Sequence, residues 1–443
     1  MSKKILILGA GRSSGAVIEY LAKTQTEFGW EVTVADQSEE SVRKAIEGMS
    51  GIRVLALDTT DQEKLQETIK GKDAVVSLLP AHLHSKVATH CLTAGAYLIT
   101  ASYVSDEMKN LHQQAEEKGL LFLNECGLDP GIDHMSAMEV IDRIRKDGGK
   151  ITAFRSFTGG LIAPQTDLDN PWRYKFTWNA RNVVMAGQGT AIYREDGKLK
   201  RIPYQQLFTR TVPIMVPGTG VFDGYANRDS LKYIETYGLN DVKTMLRGTL
   251  RYRGYCQAWN ILVQMGCCED QGELNVENLS HSDFIEFFLP GGNDSLEMRV
   301  ATRFNLQTTS PEIKLLNWSG LFSSESIGLK KGTPAQILEH ILNKKWKLQS
   351  GDLDQIVMWH QFIYQQDGRE HEIQSSLVSE GLPGGHTAMA RTVGLPMGIA
   401  TRLILENKIA LRGVQIPVKA QIYEPILKEL ATMGIVMQEV KVR

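Results

Sequence analysis

The chain has 443 residues, more than one ordinary hydrophobic core organises, so its length predicts two or three domains. Hydrophobic residues make up 42% and charged residues 23%, a composition typical of soluble globular proteins. Lys and Arg (49 together) nearly balance Asp and Glu (51), which argues against nucleic acid or an anionic membrane as a partner.

The cysteines and the first residues of the chain indicate the cellular compartment in which we expect the protein. The five cysteines are scattered and form no CxxC pair, which favours a reducing environment. The apolar run in MSKKILILGAG is far shorter than a signal-peptide core or a membrane span. We therefore expect a cytoplasmic protein that does not enter a membrane.

From residue 3 to about 125, short β-type runs alternate with stretches of helical periodicity. Strands alternating with helices of this length indicate βαβ units and a parallel, doubly wound sheet of the Rossmann type, so the fold class is α/β. The predicted strands are KILIL (4–8), EVTVAD (31–36), IRVLAL (52–57), DAVVSLL (73–79), YLITA (97–101) and LLFLNE (120–125).

The rest of the chain has a different pattern. Turn-rich segments with most of the aromatic residues predict a second, substrate-binding α+β domain with a mixed sheet at about 131–310 and 357–384. A helix-like stretch at about 311–356 predicts a small all-α insert. Helical periodicity returns near the carboxyl terminus, and we assign residues 1–130 plus about 385–425 to the dinucleotide-binding domain.

A glycine-rich turn follows the first predicted strand and precedes a helix. Its spacing is GxGxxxG rather than GxGxxG, because Ser14 precedes the third glycine. This spacing still allows a tight turn and a close approach of the backbone to a pyrophosphate. It also places a helix amino terminus beside that phosphate. The alternative is a tight βα turn without a ligand. The cofactor-binding candidates are Gly9, Gly11, Arg12, Ser13, Ser14 and Gly15.

Asp36 ends the second predicted strand, where it can accept hydrogen bonds from a ribose 2′-hydroxyl. A 2′-phosphate would face this carboxylate, and no Arg or Lys follows closely in QSEE. The position therefore favours NAD over NADP, with NADP as the alternative. Asp36 could instead be a solvated carboxylate at a strand end.

Seven segments carry a family resemblance that spans almost the whole chain in order. The segments are TASYVSDEM (100–108), NECGLDPGIDHMSAM (124–138), FTGGLIAP (157–164), NPWRYKFTWN (170–179), YANRDS (225–230), RGTLRY (247–252) and HTAMARTVGLP (386–396). Together they closely resemble saccharopine dehydrogenases of the glutamate-forming type, also called saccharopine reductases.

The resemblance implies a Rossmann domain completed by a returning carboxyl-terminal segment, a mixed-sheet substrate domain and a helical third domain. It implies the reversible reaction of saccharopine with NAD(P) and water to give glutamate and 2-aminoadipate semialdehyde in lysine metabolism. Fungal members use NADP with a basic residue after the second strand, whereas this chain has Asp36. We therefore expect the catabolic, NAD-linked direction, and the resemblance adds the expectation of a homodimer.

Substrate binding is expected at two arginine motifs. Saccharopine carries three carboxylates, and the planar fork of Arg meets a carboxylate in two parallel bonds. Motifs that match the family's substrate-binding segments supply Arg228 and Arg251, with Thr249 and Leu250 beside the latter. Arginines in surface or structural ion pairs are the alternative.

Further site residues are assigned by matching motifs of this chain to motifs of the family. The resemblance places Ser102, Tyr103 and Asp129 around the substrate, at the sheet edge where doubly wound folds bind ligands. Asp133 and His134 could instead stabilise the start of the following helix. Residues expected around the dinucleotide are Leu57, Asp58, Leu79, Thr100, Ala101, Leu128, Asp129, Pro130 and Thr177.

The chemistry requires hydride transfer followed by hydrolysis of an imine, and each later step moves protons. Tyr103 and Asp129 are the candidate catalytic residues, although the substrate's own amines and carboxylates could move the protons. The pair His82 and His84 in PAHLHSK lacks a third ligand at useful spacing, so we expect no metal. Thr158 stands where the family often has a cysteine.

Two other functions compete with this interpretation. A related C–N dehydrogenase, such as a carboxynorspermidine dehydrogenase, would replace some carboxylate-binding arginines by acidic residues. A catalytically silent nucleotide-sensing protein would keep the glycine turn and lose the substrate pocket. Retention of NRDS and GTLRY, together with Tyr103 and Asp129, argues against both.

Overall fold

The computed structural model describes residues 2–443, which form two compact units. The first unit comprises the residues up to Gly149 together with Gly381–Met437. The second comprises Lys150–Glu380 together with Gln438–Arg443. No helix among residues 2–443 is both long and apolar enough to cross a bilayer.

The β-strands are numbered along the chain. They are β1 (Lys4–Leu8), β2 (Glu31–Asp36), β3 (Arg53–Ala56), β4 (Ala74–Ser77), β5 (Tyr97–Thr100), β6 (Leu121–Leu123), β7 (Lys150–Ile162), β8 (Ala191–Glu195), β9 (Lys198–Ile202), β10 (Val212–Val216), β11 (Gly220–Ala226), β12 (Thr244–Tyr252), β13 (Leu274–Asn275), β14 (Lys331–Gly332), β15 (Asp354–Gln366), β16 (Arg369–Glu380), β17 (Gly413–Gln415) and β18 (Gln438–Lys441).

The α-helices follow the same convention, and short 3₁₀ turns occur at Ala81–Leu83, Ala186–Gln188 and Tyr204–Thr209. The helices are α1 (Gly15–Phe28), α2 (Glu39–Ala45), α3 (Gln62–Ile69), α4 (His84–Ala94), α5 (Asp106–Lys109), α6 (His112–Glu117), α7 (Ile132–Lys146), α8 (Ala180–Met185), α9 (Lys232–Thr236), α10 (Tyr255–Met265), α11 (His281–Glu286), α12 (Leu296–Arg303), α13 (Pro311–Trp318), α14 (Pro334–Trp346), α15 (Ala388–Leu405) and α16 (Ala420–Thr432).

The first unit is built on a parallel seven-stranded sheet in the order β17-β6-β5-β4-β1-β2-β3. The central strand β1 is apolar and buried from Ile5 to Leu8, as expected for a strand covered by helices on both faces. The strand order reverses direction between β1 and β4, and ligands of doubly wound folds bind at the carboxyl edge beside such a point. The predicted Rossmann fold is confirmed.

The returning segment of the first unit lies closely against its first helix. In α15, a Cβ atom added at Gly394 would lie 2.8 Å from the backbone nitrogen of Val17, and one at Gly398 would lie 2.7 Å from the ring of Tyr20. Small residues therefore permit the approach of α15 to α1. The buried side chains of Ile399 and Leu403 add apolar burial on the same helix.

The second unit contains a mixed nine-stranded sheet. Its main path is β10-β11-β12-β7-β15-β16-β18, and β8 with β9 extends it beside β12. The β12–β7 pair is parallel and the other pairs are antiparallel. The sheet shares a core with packed aromatic rings, among them Trp172 and Trp346 with ring centroids 5.1 Å apart. The predicted mixed-sheet α+β domain is confirmed.

The observed units do not coincide with the predicted domain bounds: the second part of the first unit runs over Gly381–Met437 rather than about 385–425, and Gln438–Arg443 joins the second unit. Helix α7 belongs to the first unit, whereas the prediction ended that part of the dinucleotide domain at residue 130. The 311–356 segment forms helices as predicted, but Leu316 and Leu342 lie in one core with Leu161 of the sheet. This helical segment is therefore part of the second unit.

The close approach of α15 to α1 predicts a stability effect. We expect Gly394→Val to lower the free energy of unfolding by about 1–3 kcal/mol, because its added methyl groups would overlap α1. Thermal unfolding measures the change, with Gly291→Val as the control, since a Cβ there meets no described atom within 4 Å. Equal melting temperatures for the two variants would contradict the packing described.

Candidate active site

The glycine-rich turn after β1 leaves open space where a phosphate can approach. Gly9 has a φ of 101°, which glycine adopts without strain. A Cβ added at Gly11 would meet no described atom within 4 Å, and the Ser14 hydroxyl donates to the Gly11 carbonyl at 2.7 Å. No described side chain caps the amino terminus of α1. The free N–H groups and the open surface fit the pyrophosphate of a dinucleotide.

Asp36 lies at the end of β2, beside this turn. Its carboxylate accepts hydrogen bonds from the backbone N–H of Ala10 at 2.8 Å and of Ser38 at 3.1 Å. These bonds fix the carboxylate at the position where a dinucleotide ribose is bound in this fold. The side chain of Arg12 is exposed on the same turn, and Ser13 is half-buried.

The predicted residues after β3 and β4 also lie at this edge. The backbone N–H of Leu57 donates to the carbonyl of Asp36 at 2.8 Å, which extends the pairing of β2 with β3. The exposed Asp58 carboxylate accepts from the Thr60 backbone N–H at 2.9 Å, and this bond lowers the pKa of Asp58 below its usual value. Leu79 follows β4 and is half-buried.

A buried histidine occupies the carboxyl ends of β4 and β5. His84 Nε2 lies 2.8 Å from the Ser102 hydroxyl and 3.3 Å from the Thr100 hydroxyl, and Nδ1 lies 3.0 Å from the Ser77 hydroxyl. Burial lowers the pKa of His84 to about 4, so the imidazole is neutral near pH 7. Sequence analysis considered His84 as a metal ligand and did not predict this network.

The predicted residues around Asp129 form a tight loop before α7. The Gly127 N–H donates to the Pro130 carbonyl at 3.0 Å, and a Cβ at Gly131 would lie 2.0 Å from the Gly127 oxygen. Only glycine fits this approach. The loop buries Leu128 and Pro130 and leaves Asp129 half-buried at its turn, at the carboxyl side of β6.

Next to this loop is a buried carboxylate–imidazole pair that sequence analysis missed. Glu125 Oε2 lies 2.8 Å from His134 Nε2, and Glu125 Oε1 accepts from the Val104 N–H at 3.0 Å. Asp133 Oδ1 accepts from the Gly131 N–H at 2.6 Å, at the start of α7. These bonds agree with the alternative role of Asp133 and His134, which is to stabilise the start of the following helix. They also fix the segment that follows the half-buried Tyr103.

Arg251 in β12 lies in a cage of tyrosine rings inside the second unit. Its guanidinium carbon is 5.0 Å from the ring centre of Tyr174, 5.2 Å from that of Tyr255 and 6.0 Å from that of Tyr225. The side chain donates to the Leu250 carbonyl at 2.9 Å, but Nε has no described hydrogen-bond partner. Burial raises the pKa of Tyr174 to about 12, so this phenol remains neutral.

The cage therefore contains a buried cation that forms no ion pair within 4.0 Å among residues 2–443, while the buried Asp223 is its cross-strand neighbour in the β11–β12 register. No described Asp or Glu oxygen lies within 4.0 Å of the Arg251 guanidinium, although the side chain is only 5% exposed. A buried unpaired charge is costly, and the adjacent rings offset only part of that cost. The arrangement is suited to a ligand carboxylate.

The other predicted residues of the second unit have different environments. Thr249 is half-buried and pairs in register with Thr158 of β7, whereas the Leu250 side chain is buried in the core. Leu250 therefore contributes its backbone carbonyl, which holds Arg251. Arg228 is exposed after β11, with an unusual φ of 50°. The Thr177 hydroxyl is buried without a described partner.

Among residues 2–443, no group of three or more His, Cys, Asp or Glu side chains could hold a metal ion. His82 is exposed while His84 is buried, so the two side chains do not share one environment. The imidazole nitrogens of His84 are both engaged by hydroxyl groups.

Comparison with known proteins covers both units. Two family models match, described as the saccharopine dehydrogenase NADP binding domain (residues 5–123) and the saccharopine dehydrogenase C-terminal domain (residues 127–435). A curated saccharopine dehydrogenase (NADP+, L-glutamate-forming) from Saccharomyces cerevisiae is 33% identical, covering 99% of each chain. The corresponding Pyricularia oryzae enzyme is 33% identical over 97% of this chain and 96% of its own.

Two further matches extend the comparison. Alpha-aminoadipic semialdehyde synthase from Mus musculus is 34% identical over 98% of this chain but only 47% of its own length. The solved structure of apo saccharopine dehydrogenase (L-Glu forming) from Saccharomyces cerevisiae superposes with a TM-score of 0.91 at 31% identity, covering 100% of both chains. The chain described here belongs to the saccharopine dehydrogenase family.

Proposed function

We propose that this protein is a saccharopine dehydrogenase of the glutamate-forming type. With a nicotinamide dinucleotide and water, it would cleave saccharopine oxidatively to glutamate and 2-aminoadipate 6-semialdehyde, as part of lysine metabolism. The observation that carries the proposal is the buried, carboxylate-free guanidinium of Arg251, within a chain that matches such enzymes over its full length. The name of the Saccharomyces cerevisiae relative, which includes "L-glutamate-forming", supports glutamate as a product.

Substrate recognition rests on the arginines of β12 and the β11 turn. Saccharopine has three carboxylates, and the Arg251 guanidinium can donate two parallel hydrogen bonds to one of them. The half-buried Thr249 lies on the same strand face, two residues away, and its hydroxyl can add a bond. Arg228, exposed after β11, would meet a second carboxylate of the same ligand.

The nicotinamide ring of the bound dinucleotide would accept the hydride. The glycine turn and the uncapped amino terminus of α1 would bind its pyrophosphate, and Asp36 would bind its adenosine ribose. Removal of a hydride from the substrate carbon that bears the secondary amine gives an imine. Water adds to this imine, and the resulting carbinolamine breaks its C–N bond to release aldehyde and amine.

Tyr103 and Asp129 are the residues proposed to move protons in these steps. Both are half-buried at the carboxyl edge of the first unit's sheet, after β5 and β6. A carboxylate at Asp129 can accept a proton from the attacking water, and a phenol at Tyr103 can donate one to the leaving amine. Ser102, adjacent to Tyr103, offers a hydroxyl to the substrate.

The two competing functions receive less support. A dehydrogenase of a polyamine-like substrate would be expected to surround its site with acidic groups, whereas no described carboxylate lies within 4.0 Å of Arg251. A silent nucleotide-sensing protein would have no need for a buried cation in its second unit. Neither alternative matches the names of the curated relatives.

We propose NAD as the preferred dinucleotide, with NADP as the alternative. The matching family model and the fungal relatives carry NADP in their names, which favours the alternative. The local chemistry favours NAD, because Ala10 and Ser38 hold the Asp36 carboxylate where a 2′-phosphate would lie. The catabolic direction, a homodimer and a cytoplasmic location remain predictions.

An initial-rate assay tests the proposed reaction directly. Purified protein is mixed with saccharopine and either NAD or NADP, and reduced nicotinamide is followed by absorbance while glutamate and lysine are quantified. We expect glutamate to form in equal amount with reduced nicotinamide. Turnover that yields lysine, or dinucleotide binding without turnover of saccharopine, would refute the proposal.

The dinucleotide preference depends on charge at the end of β2. We expect the double variant Asp36→Ala/Gln37→Arg to raise the ratio of kcat/KM with NADP to kcat/KM with NAD at least about tenfold, since repulsion is replaced by attraction. Glu40→Ala, a nearby exposed carboxylate, is the control. An unchanged ratio in the double variant would show that Asp36 does not contact the ribose.

The carboxylate role of Arg251 predicts a substrate-specific loss. We expect Arg251→Lys to raise the KM for saccharopine by about tenfold or more while the KM for dinucleotide changes little, because Lys keeps the charge but loses the planar fork. Arg253→Lys, two residues along the chain and exposed, is the matched control. Equal saccharopine KM values for both variants would contradict the assignment.

A further inference from the structure

His84 is a buried histidine whose ring nitrogens both contact hydroxyl groups. It is the first residue of α4, directly after the 3₁₀ turn Ala81–Leu83, and only 4% of its surface is exposed. Its ring lies among hydroxyl groups at the carboxyl ends of β4 and β5. An apolar side chain here would remove a hydrogen-bond partner from the Ser77, Thr100 and Ser102 hydroxyls.

The contacts connect His84 to Ser102 at short distance. Nε2 lies 2.8 Å from the Ser102 hydroxyl, the shortest of the three contacts between hydroxyl oxygens and ring nitrogens. The Ser102 N–H donates to the Thr100 hydroxyl at 3.2 Å, so backbone and side chain of Ser102 are both fixed. On the opposite side of the ring, Nδ1 is held by Ser77 at 3.0 Å.

A neutral imidazole has one donor and one acceptor, which determines what Ser102 can offer to a ligand. If Nε2–H donates to the Ser102 oxygen, the Ser102 hydrogen is free to donate to a substrate carboxylate. If Nε2 accepts that hydrogen, the Ser102 oxygen can only accept from a substrate amine. The Ser77 hydroxyl can donate to Nδ1 or accept from it, so its contact is compatible with both tautomers.

We propose that His84 is a positioning residue that orients the Ser102 hydroxyl toward the substrate. The proposal rests on the proposed function, because it assumes that Ser102 contacts saccharopine. His84 itself would touch neither substrate nor dinucleotide. Its effect would pass through one hydroxyl group, which distinguishes it from a residue that only stabilises the sheet edge.

Two isosteric variants separate positioning from packing. Gln places its amide near the Nε2 position and can still reach Ser102, whereas Asn places its amide near Nδ1 and reaches only Ser77. We expect His84→Asn to lower kcat/KM for saccharopine about tenfold and His84→Gln to restore most of this loss. The KM for dinucleotide should stay constant in both. Equal losses in the two variants would overturn the proposal.

A double-mutant cycle with Ser102→Ala provides the second test. Removal of the hydroxyl should abolish the effect of His84→Asn, because the two changes would remove the same contact. A tenfold loss that persists in the Ser102→Ala background would assign His84 a structural role. His90→Gln, in the same helix and bonded to Gln62 at 3.2 Å, is the control that should leave kcat/KM unchanged.

A spectroscopic measurement keeps the test independent of saccharopine turnover. The ¹⁵N shifts of the histidine rings report tautomer and hydrogen bonding, and we expect the His84 signals to move in Ser102→Ala but not in His90→Gln. Unmoved signals would overturn the proposal. Wild-type protein that fails to oxidise saccharopine would refute the proposed function while this coupling could still be measured.

Discussion

The strongest physical constraint on the second unit is that one positively charged side chain is buried among aromatic rings. Arg251 is buried among Tyr174, Tyr225 and Tyr255, and no described carboxylate oxygen lies within 4.0 Å of its guanidinium. Leaving a guanidinium in this state is unfavourable by several kcal/mol unless a ligand supplies the anion. The aromatic core, the β12 register and the Leu250 carbonyl all hold this side chain in place before a ligand arrives.

The charged and polar groups of the first unit are arranged differently. This unit offers the partial positive charge at the uncapped amino terminus of α1 and the half-buried carboxylate of Asp36, rather than a fully buried ion. Its buried polar groups are paired with one another, as the neutral His84 is with Ser102 and as Glu125 is with His134. Such pairing fixes the loops after β5 and β6 at little cost, because each donor meets an acceptor.

The sequence predicted the fold of the first unit well because its signals are local. Apolar runs indicated β1 to β6 to within two residues at each end, whereas the three-residue edge strand β17 was not predicted. The cage around Arg251 and the contact between His84 and Ser102 join residues brought together only by strand pairing and packing. No periodicity or spacing encodes such contacts, and motif resemblance named Arg251 and Ser102 without their surroundings.

A crystal structure of the protein with bound saccharopine tests the central claim most directly. The account predicts a substrate carboxylate whose oxygens lie about 2.7–2.9 Å from the Arg251 guanidinium nitrogens, with the tyrosine rings in place around it. Such a complex would explain why the cation is buried without a partner of its own. Saccharopine bound with no carboxylate near Arg251 would contradict the account, because the buried charge would then have no role in substrate recognition.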